Sequence, residues 1–299
     1  MIAPEVVREL VALADSPQEG DLPRAALLVA RIEYPSLDPA PTLAALTRLG
    51  ALATARLERL GRDASTEKQV ESLNELLFDD EGFRGNDVEY DDPRNSFLND
   101  VVARRTGLPI TLSVVYMEVA RRAGLLMEGL NFPGRFLVRC RVARRAPTDP
   151  LELVIDPFDR GAVLSDSDCR QLLRRTLGDD ATFERHLLAP AGPRQILVRM
   201  LGNLKRLYVS MRSFPQARDA VEVILALEPL SVTELRDRGL LSYHLDDYVG
   251  ALRDLEAYLR AVSRTANVAE PSADDESESE HRQIWEHVKT IRRRLASFN

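Results

Sequence analysis

The stretch Gly107-Leu108-Pro109-Ile110-Thr111-Leu112-Ser113-Val114-Val115-Tyr116-Met117-Glu118-Val119-Ala120 decides the fold. Gly107-Leu108-Pro109 breaks the chain and restarts it. Proline suits the first turn of a helix, where a backbone N–H would have no partner anyway. From Ile110 to Ala123 the helix is apolar nearly all round, so it belongs inside a core and not on a surface. Gly124 suits the residue just past its end.

Upstream, Glu71 to Phe78 reads as a helix end. The polar stretch Asp79 to Asn95 is turn-rich, with Gly82, Gly85, Asn86 and Asp91-Asp92-Pro93. A helix is predicted over Ser96 to Thr106. Residues 3–60 read as further helices, with apolar recurrence in Val6, Leu10, Leu13 and again in Ala25, Leu28, Val29, Ile32. Downstream, the period changes to two. Phe136, Val138, Cys140 and Val142 alternate with Arg135, Leu137, Arg139 and Arg141, the pattern of a strand with one buried face. A loop with Pro147 and Pro150 follows, and Leu151 to Ile155 reads as its hairpin partner. With the hairpin centred between Arg145 and Ala146, Arg135 would lie directly opposite Asp156.

Residues 190–262 are helical and repeat. Phe214 corresponds to Tyr248 and Ala217 to Ala251, each pair 34 residues apart, which is the tetratricopeptide period. Asn267 to Ser279 is polar and acidic, the composition of a disordered linker, and a last helix is expected over about Glu280 to Ser297. The expected organisation is therefore an N-terminal helical region (1–62), an α/β domain (63–185), helical hairpins (190–265), an acidic linker (267–279) and a C-terminal helix (280–299).

The 299 residues carry a net charge of −7, with 44% hydrophobic and 29% charged residues, so a sizeable core is available and a basic nucleic-acid-binding surface is not expected. Two cysteines, Cys140 and Cys169, exclude a disulfide framework and suit a reducing, cytoplasmic compartment. No signal peptide and no stretch of about 18 apolar residues is read, so no membrane span is expected. There is no zinc-ligand pattern, no glycine-rich phosphate loop and no nucleophile elbow; neither a metal nor another cofactor is expected.

The ordered motifs Leu73-Asn74-Glu75-Leu76-Leu77-Phe78, Asp92-Pro93-Arg94-Asn95-Ser96-Phe97-Leu98-Asn99, Arg105-Thr106-Gly107-Leu108-Pro109-Ile110, Phe132-Pro133-Gly134-Arg135-Phe136 and Asp156-Pro157-Phe158 resemble the bacterial SirB-type family. The resemblance spans roughly 40–265. It implies an α+β fold: a transglutaminase-like domain with a papain-like core, followed by an all-α array of tetratricopeptide hairpins. Active transglutaminase-like enzymes place a cysteine at the start of a buried helix, a histidine at the start of a strand and an aspartate on the neighbouring strand. The helix N-terminus favours a thiolate, the imidazole takes its proton, and the carboxylate orients the imidazole. By motif, the cysteine position falls on Pro109 or Ile110, the histidine position on Arg135 and the aspartate position on Asp156. Two of the three residue types are absent.

The chain's histidines, His186, His244, His281 and His287, all lie outside the α/β segment, and neither cysteine sits at a helix start. Cys140 reads as a core residue. Thr111 and Ser113, near the start of the central helix, are the alternative nucleophiles, with no base in view. Asp92-Pro93-Arg94-Asn95 reads as a turn and cap or as cleft lining, and Asn99 as a ligand contact or a tie between loop and core. Asn95, Asn99, Arg135 and Asp156 are the candidate binding residues. The basic run Arg139, Arg141, Arg144 and Arg145 reads as a solvated strand face. The expected function is non-catalytic: interaction or regulation, with a protein or peptide partner held by the helical repeats and by a vestigial cleft. The alternatives are a hydrolase or transferase with a changed nucleophile, and a regulator of gene expression acting through protein partners.

Overall fold

The computed structural model describes residues 2–16, 21–61, 63–142, 152–266 and 275–297. The chain forms two compact units, one built from Pro4–Met200 and one that runs from Leu201 onward and takes in the residues before Pro4.

In the first unit, helices α1 (Pro4–Ala14), α2 (Asp21–Val29), α3 (Ala40–Leu60), α4 (Thr66–Asn74), α5 (Leu98–Arg104) and α6 (Pro109–Arg122) precede a five-stranded sheet. Every residue of α6 from Pro109 to Ala120 is buried, as its all-round apolarity requires. Its start is locked by side chains. Leu108 N donates to Thr111 Oγ1 (3.0 Å), and Thr111 Oγ1 donates to the Asn95 carbonyl (2.8 Å). Its end is a Schellman turn: Gly124 N donates to Arg121 O (3.0 Å), Leu125 N to Ala120 O (2.9 Å), and Gly124 takes φ +84°.

The predicted helix over Ser96 to Thr106 is shorter, Leu98–Arg104. Arg105 turns left-handed (φ 55°), and strand β2 (Thr106–Gly107) then pairs in parallel with β1 (Arg84–Gly85). Strands β3 (Met127–Leu130), β4 (Leu137–Arg141), β5 (Glu152–Asp156), β6 (Ala162–Leu164) and β7 (Pro190–Ala191) form the main sheet, ordered β6-β5-β4-β3-β7, with each neighbouring pair antiparallel. The expected hairpin is thus the centre of a larger sheet. The flanking strands, of two to four residues, are too short to show a period of two.

The hairpin register differs from expectation. Cys140 pairs with Leu153 and Val138 with Ile155, so Arg135 lies two positions before the residue that register would set opposite Asp156. The strand is also buried on both sides. Val138 and Cys140 turn to the α6 side, where Val114, Met117 and Cys140 line one groove. Leu137 and Val154 turn the other way and pack with Phe132, Leu173 and Cys169, the last two on α7 (Asp166–Leu177). A covering helix on each face erases the alternation that a half-buried strand would keep. Nor is Arg139 a solvated residue. It pairs with Glu128 (2.6 Å) and Glu152 (3.3 Å) across three strands, while Arg141 is exposed. Arg144 and Arg145 lie outside the described residues.

Helix α8 (Pro193–Ser210) crosses the boundary between the units. Beyond it come α9 (Phe214–Leu227), α10 (Val232–His244), α11 (Tyr248–Ala266) and α12 (Asp275–Ser297). The 34-residue period holds down to single hydrogen bonds. Ser213 N donates to Tyr208 O (2.8 Å), and its counterpart Asp247 N donates to Ser242 O (2.9 Å). The left-handed residues between helices, Arg212 (φ 56°) and Asp246 (φ 58°), are counterparts too. Ala217 and Ala251 are both 0% exposed. Helix α12 starts at Asp275, ahead of the expected Glu280. Glu favours helix, and acidic residues suit a helix N-terminus, although the same composition reads as linker. Residues 267–274 of that expected linker lie outside the described residues. Among the described residues, no helix is long and apolar enough to cross a membrane.

Because Ala217 and Ala251 are fully buried, Ala217→Leu and Ala251→Leu are each expected to cost about 1–3 kcal/mol through overpacking. Urea unfolding followed by circular dichroism measures this, and a change within about 0.5 kcal/mol for both would remove the close-contact account of the repeat.

Candidate functional site

The start of α6 offers no nucleophile. Pro109 is buried and Ile110 is 1% exposed. Thr111 and Ser113 are both 0% exposed. Thr111 is spent on the helix cap, and Ser113 Oγ donates to Pro109 O (2.7 Å). A hydroxyl held on a carbonyl, with no base against it, has nothing to activate it.

Arg135 and Asp156 meet although the register does not set them opposite each other. Gly134, at φ +72°, turns the chain into Arg135. The side chain then reaches along β4 to place Nε 3.3 Å from Asp156 Oδ2. The guanidinium also lies over the Phe158 ring, with Cζ 4.5 Å from the centroid, an arrangement that favours a cation. Asp156 Oδ1 accepts the Phe158 amide (3.0 Å), which caps the short 3-10 turn Pro157–Asp159. Burial pushes the Asp156 carboxyl above the ordinary range. The Arg135 charge and the amides of Phe158 and Asp159 oppose that rise without cancelling it.

The pair lines a cleft of about 340 Å³. Its opposite walls come from the edge strand β6 (Ala162, Val163, Leu164) and from α7 (Gln171, Arg175). Chemically, the cleft presents a fixed guanidinium on a buried carboxylate. Arginine keeps its proton near neutral pH, so it cannot serve as a base; it can bind a carboxylate or a carbonyl oxygen. Pro109 and Ile110 do not line this cleft.

Asn95, expected as a candidate binding residue, is internal and does not line the cleft. It is 0% exposed, and its side chain is consumed: Nδ2 donates to Glu89 O (2.7 Å), and Oδ1 accepts Asn86 Nδ2 (3.2 Å). With its carbonyl on Thr111, it ties the 86–90 loop to the start of α6. Asn99 is half-buried on α5. Its Oδ1 is buried with no hydrogen-bond partner among the described residues. It does not line the Arg135–Asp156 cleft. Asp92 is a cap and ion-pair centre. It accepts Arg94 N (2.9 Å), and Arg94 and Arg104 pair with it at 2.7 and 3.1 Å. Hydrogen bonds from Arg94 hold its carboxyl below the usual range against the cost of burial.

Sequence reading passed over Asn74. Its Nδ2 donates to Gly161 O (2.9 Å), and its Oδ1 accepts Tyr116 OH (2.8 Å), so one amide clamps α4, α6 and the β5–β6 turn. The only signal was a polar residue inside Leu73-Asn74-Glu75-Leu76-Leu77-Phe78.

Both thiols are free, buried and pushed up to about 11, mainly by burial. Cys140 borders a separate groove of about 670 Å³ between α6 and β3–β4, again with no histidine. His186 is exposed and pairs with Glu184 (3.0 Å). His244 stacks on Phe214 in the second unit. Among the described residues, no three His, Cys, Asp or Glu side chains are grouped to hold a metal ion.

Comparison with known proteins agrees with this architecture. The transglutaminase-like superfamily pattern matches residues 42–202, and a tetratricopeptide-repeat pattern matches residues 204–276. The chain is 40% identical over 250 residues to a UPF0162 protein of Xylella fastidiosa strain Temecula1, covering 81% of this chain and 84% of the relative. It is 32% identical over 235 residues to UPF0162 protein PA3419 of Pseudomonas aeruginosa, covering 79% and 82%. F-box only protein 21 of Mus musculus is 34% identical over 182 residues, which is 59% of this chain but 28% of that longer protein. No solved structure shows significant similarity to the chain. The chain belongs to the transglutaminase-like superfamily, with tetratricopeptide repeats following the superfamily domain.

The buried carboxyl gives the site a pH signature. An acid whose folded pKa lies above its unfolded value, near 3.9 for Asp, contributes stability that is complete below the unfolded value and lost as pH rises through the folded one. Arg135 limits this loss, so Arg135→Gln pushes Asp156 further up. The variant is expected to be about 1–3 kcal/mol less stable than the parent at pH 7.5, and closer to it by about 1 kcal/mol at pH 3.5. Urea unfolding at the two pH values measures this; an equal deficit at both would mean that Asp156 does not depend on Arg135.

Proposed function

We propose that this transglutaminase-like chain is a non-catalytic interaction or regulatory protein, whose Arg135–Asp156 cleft and helical repeats each bind a protein or peptide segment. The observation that carries the reading is the guanidinium of Arg135, 3.3 Å from Asp156, at the position that the family resemblance assigns to an imidazole. A carboxylate that would orient a base in an active relative here neutralises a permanent cation. Three further facts support the reading. The α6 start is buried around Pro109 and Ile110, the hydroxyls of Thr111 and Ser113 are engaged, and both thiols are far from ionising at neutral pH. Tetratricopeptide repeats generally mediate protein–protein contacts, and stacked hairpins supply extended binding surfaces. Two free thiols accord with a reducing, cytoplasmic setting.

Thiol chemistry tests the reading. A rise from an ordinary 9.0 to about 11 lowers the thiolate fraction at pH 7.5 roughly 100-fold. Cys140 and Cys169 should therefore react with an aromatic disulfide reagent at least about 100-fold more slowly in the native protein than in urea. The immobilised full chain should capture the same partner from a lysate of its own cells with or without the substitutions Cys140→Ser and Cys169→Ser. Transamidation or hydrolysis of a glutaminyl peptide that disappears in folded Cys169→Ser would sink the non-catalytic reading.

A further inference from the structure

Helices α11 and α12 leave between them a groove of about 510 Å³, lined by Glu256, Leu259, Arg260, Arg264, Trp285 and Arg292, with Ser263 at its edge. Its floor is apolar, formed by Leu259 and the indole of Trp285. Trp285 is the chain's single tryptophan, and 39% of it is exposed although a Trp is normally worth burying. Three guanidinium groups line the groove, and two of them share its one carboxylate. Glu256 takes Arg292 at 2.7 Å and Arg260 at 3.6 Å. Arg264 has no carboxylate partner among the described residues; its Nε donates only to the Arg260 carbonyl. The groove is thus a locally cationic site in a chain of net charge −7.

We infer that this groove docks an acidic peptide segment of a partner protein, with one apolar or aromatic side chain of that segment seated on Trp285 and its carboxylates on Arg260, Arg264 and Arg292. The commitment to an acidic partner comes from charge. A basic or neutral segment would leave the excess guanidinium groups unmatched, whereas carboxylates match them and can be held in bidentate fashion by the arginine fork. The commitment to an apolar anchor comes from the exposed indole, since aromatic and arginine side chains together are the composition that concentrates binding energy at a contact. This inference deepens the proposed function by naming the kind of segment that the repeat unit takes.

The single tryptophan makes the test local. The full chain is titrated with the synthetic peptide Ser-Asp-Glu-Phe-Asp-Glu-Ser, blocked at both ends, while Trp285 fluorescence is followed. The chain's own acidic run, Asp274 to Glu280, is present as in the native protein. A saturable change in the indole signal is expected, weakening about ten-fold between 50 and 500 mM salt, as a charge-driven contact should. The same peptide with Gln and Asn for its acids, or with Ala for its Phe, should bind at least about ten-fold more weakly. The double substitution Arg260→Glu and Arg264→Glu lies on exposed positions and should abolish the response, with circular dichroism unchanged. If that variant loses helix, Arg264→Gln alone takes its place and should weaken binding measurably.

A silent Trp285 up to about 1 mM peptide overturns the inference, as does binding indifferent to peptide charge or binding unchanged in the variants. Equal binding of heparin would also overturn it, because the groove would then be a plain polyanion patch. Partner capture by the full chain with a silent Trp285 sinks this groove alone. Cysteine-dependent turnover sinks the non-catalytic reading instead.

Discussion

Burial of α6 is the constraint on which the first unit depends. A helix apolar on all sides can be stable only if other elements cover all of it. Helix α3, the short α5, the turn Pro157–Asp159 and strands β3 and β4 do so. That enclosure requires its buried start to be closed with local hydrogen bonds, while its end runs out to the surface at Gly124, which is exposed. Thr111 closes the start by bridging Leu108 and Asn95, and the Schellman turn at Gly124 closes the end. Asn95 then has to serve two masters, its carbonyl on the helix start and its amide on the 86–90 loop. Thr111 and Asn95 are thus engaged in closing the start of α6.

The same enclosure bears on chemistry. A helix start that is fully packed can still activate a residue, because the helix dipole persists, but it needs a side chain able to ionise there. Proline and isoleucine cannot. At the other half of the site, Arg135 and Asp156 form a pair whose energetics are those of a partly desolvated ion pair. Its presence stabilises little, and its disruption costs more, because a buried carboxylate is left alone. Phe158 strengthens the arrangement by offering its ring face to the guanidinium. The cation is therefore held in place and remains reachable from the cleft, a geometry suited to recognition.

The second unit follows a different logic. Its order comes from repetition, with a fully buried alanine and a left-handed residue between helices each recurring 34 positions later. Partly buried ion pairs tie helices of the unit together. Lys205 bridges Glu234 (2.6 Å) and Asp237 (2.7 Å) between α8 and α10, and Asp254 takes Arg238 at 2.6 Å between α10 and α11. For Asp254 two arginines, Arg238 and Arg253 (2.9 Å), outweigh burial and hold the carboxyl below its usual range, the opposite outcome to Asp156, where a single arginine does not.

By itself the sequence determined what depends on local pattern. The buried helix after Gly107-Leu108-Pro109, the period-two strand through Cys140, the 34-residue repeat and the lack of histidine in the α/β segment are all properties of residue type and spacing. The tertiary structure decided what depends on which surfaces meet. It placed α7 on the far face of the sheet, so Leu137 is buried where alternation alone would leave it outside. It set the hairpin register, so that Arg135 reaches Asp156 along the strand and not straight across it. It turned Asn95 inward, because the 86–90 loop folds back on it and Thr111 meets its carbonyl from the next helix. It also left Trp285 exposed among three arginines, because the groove exists only once α11 and α12 pack. Such outcomes depend on how elements pack against one another, which residue type and spacing along the chain do not specify.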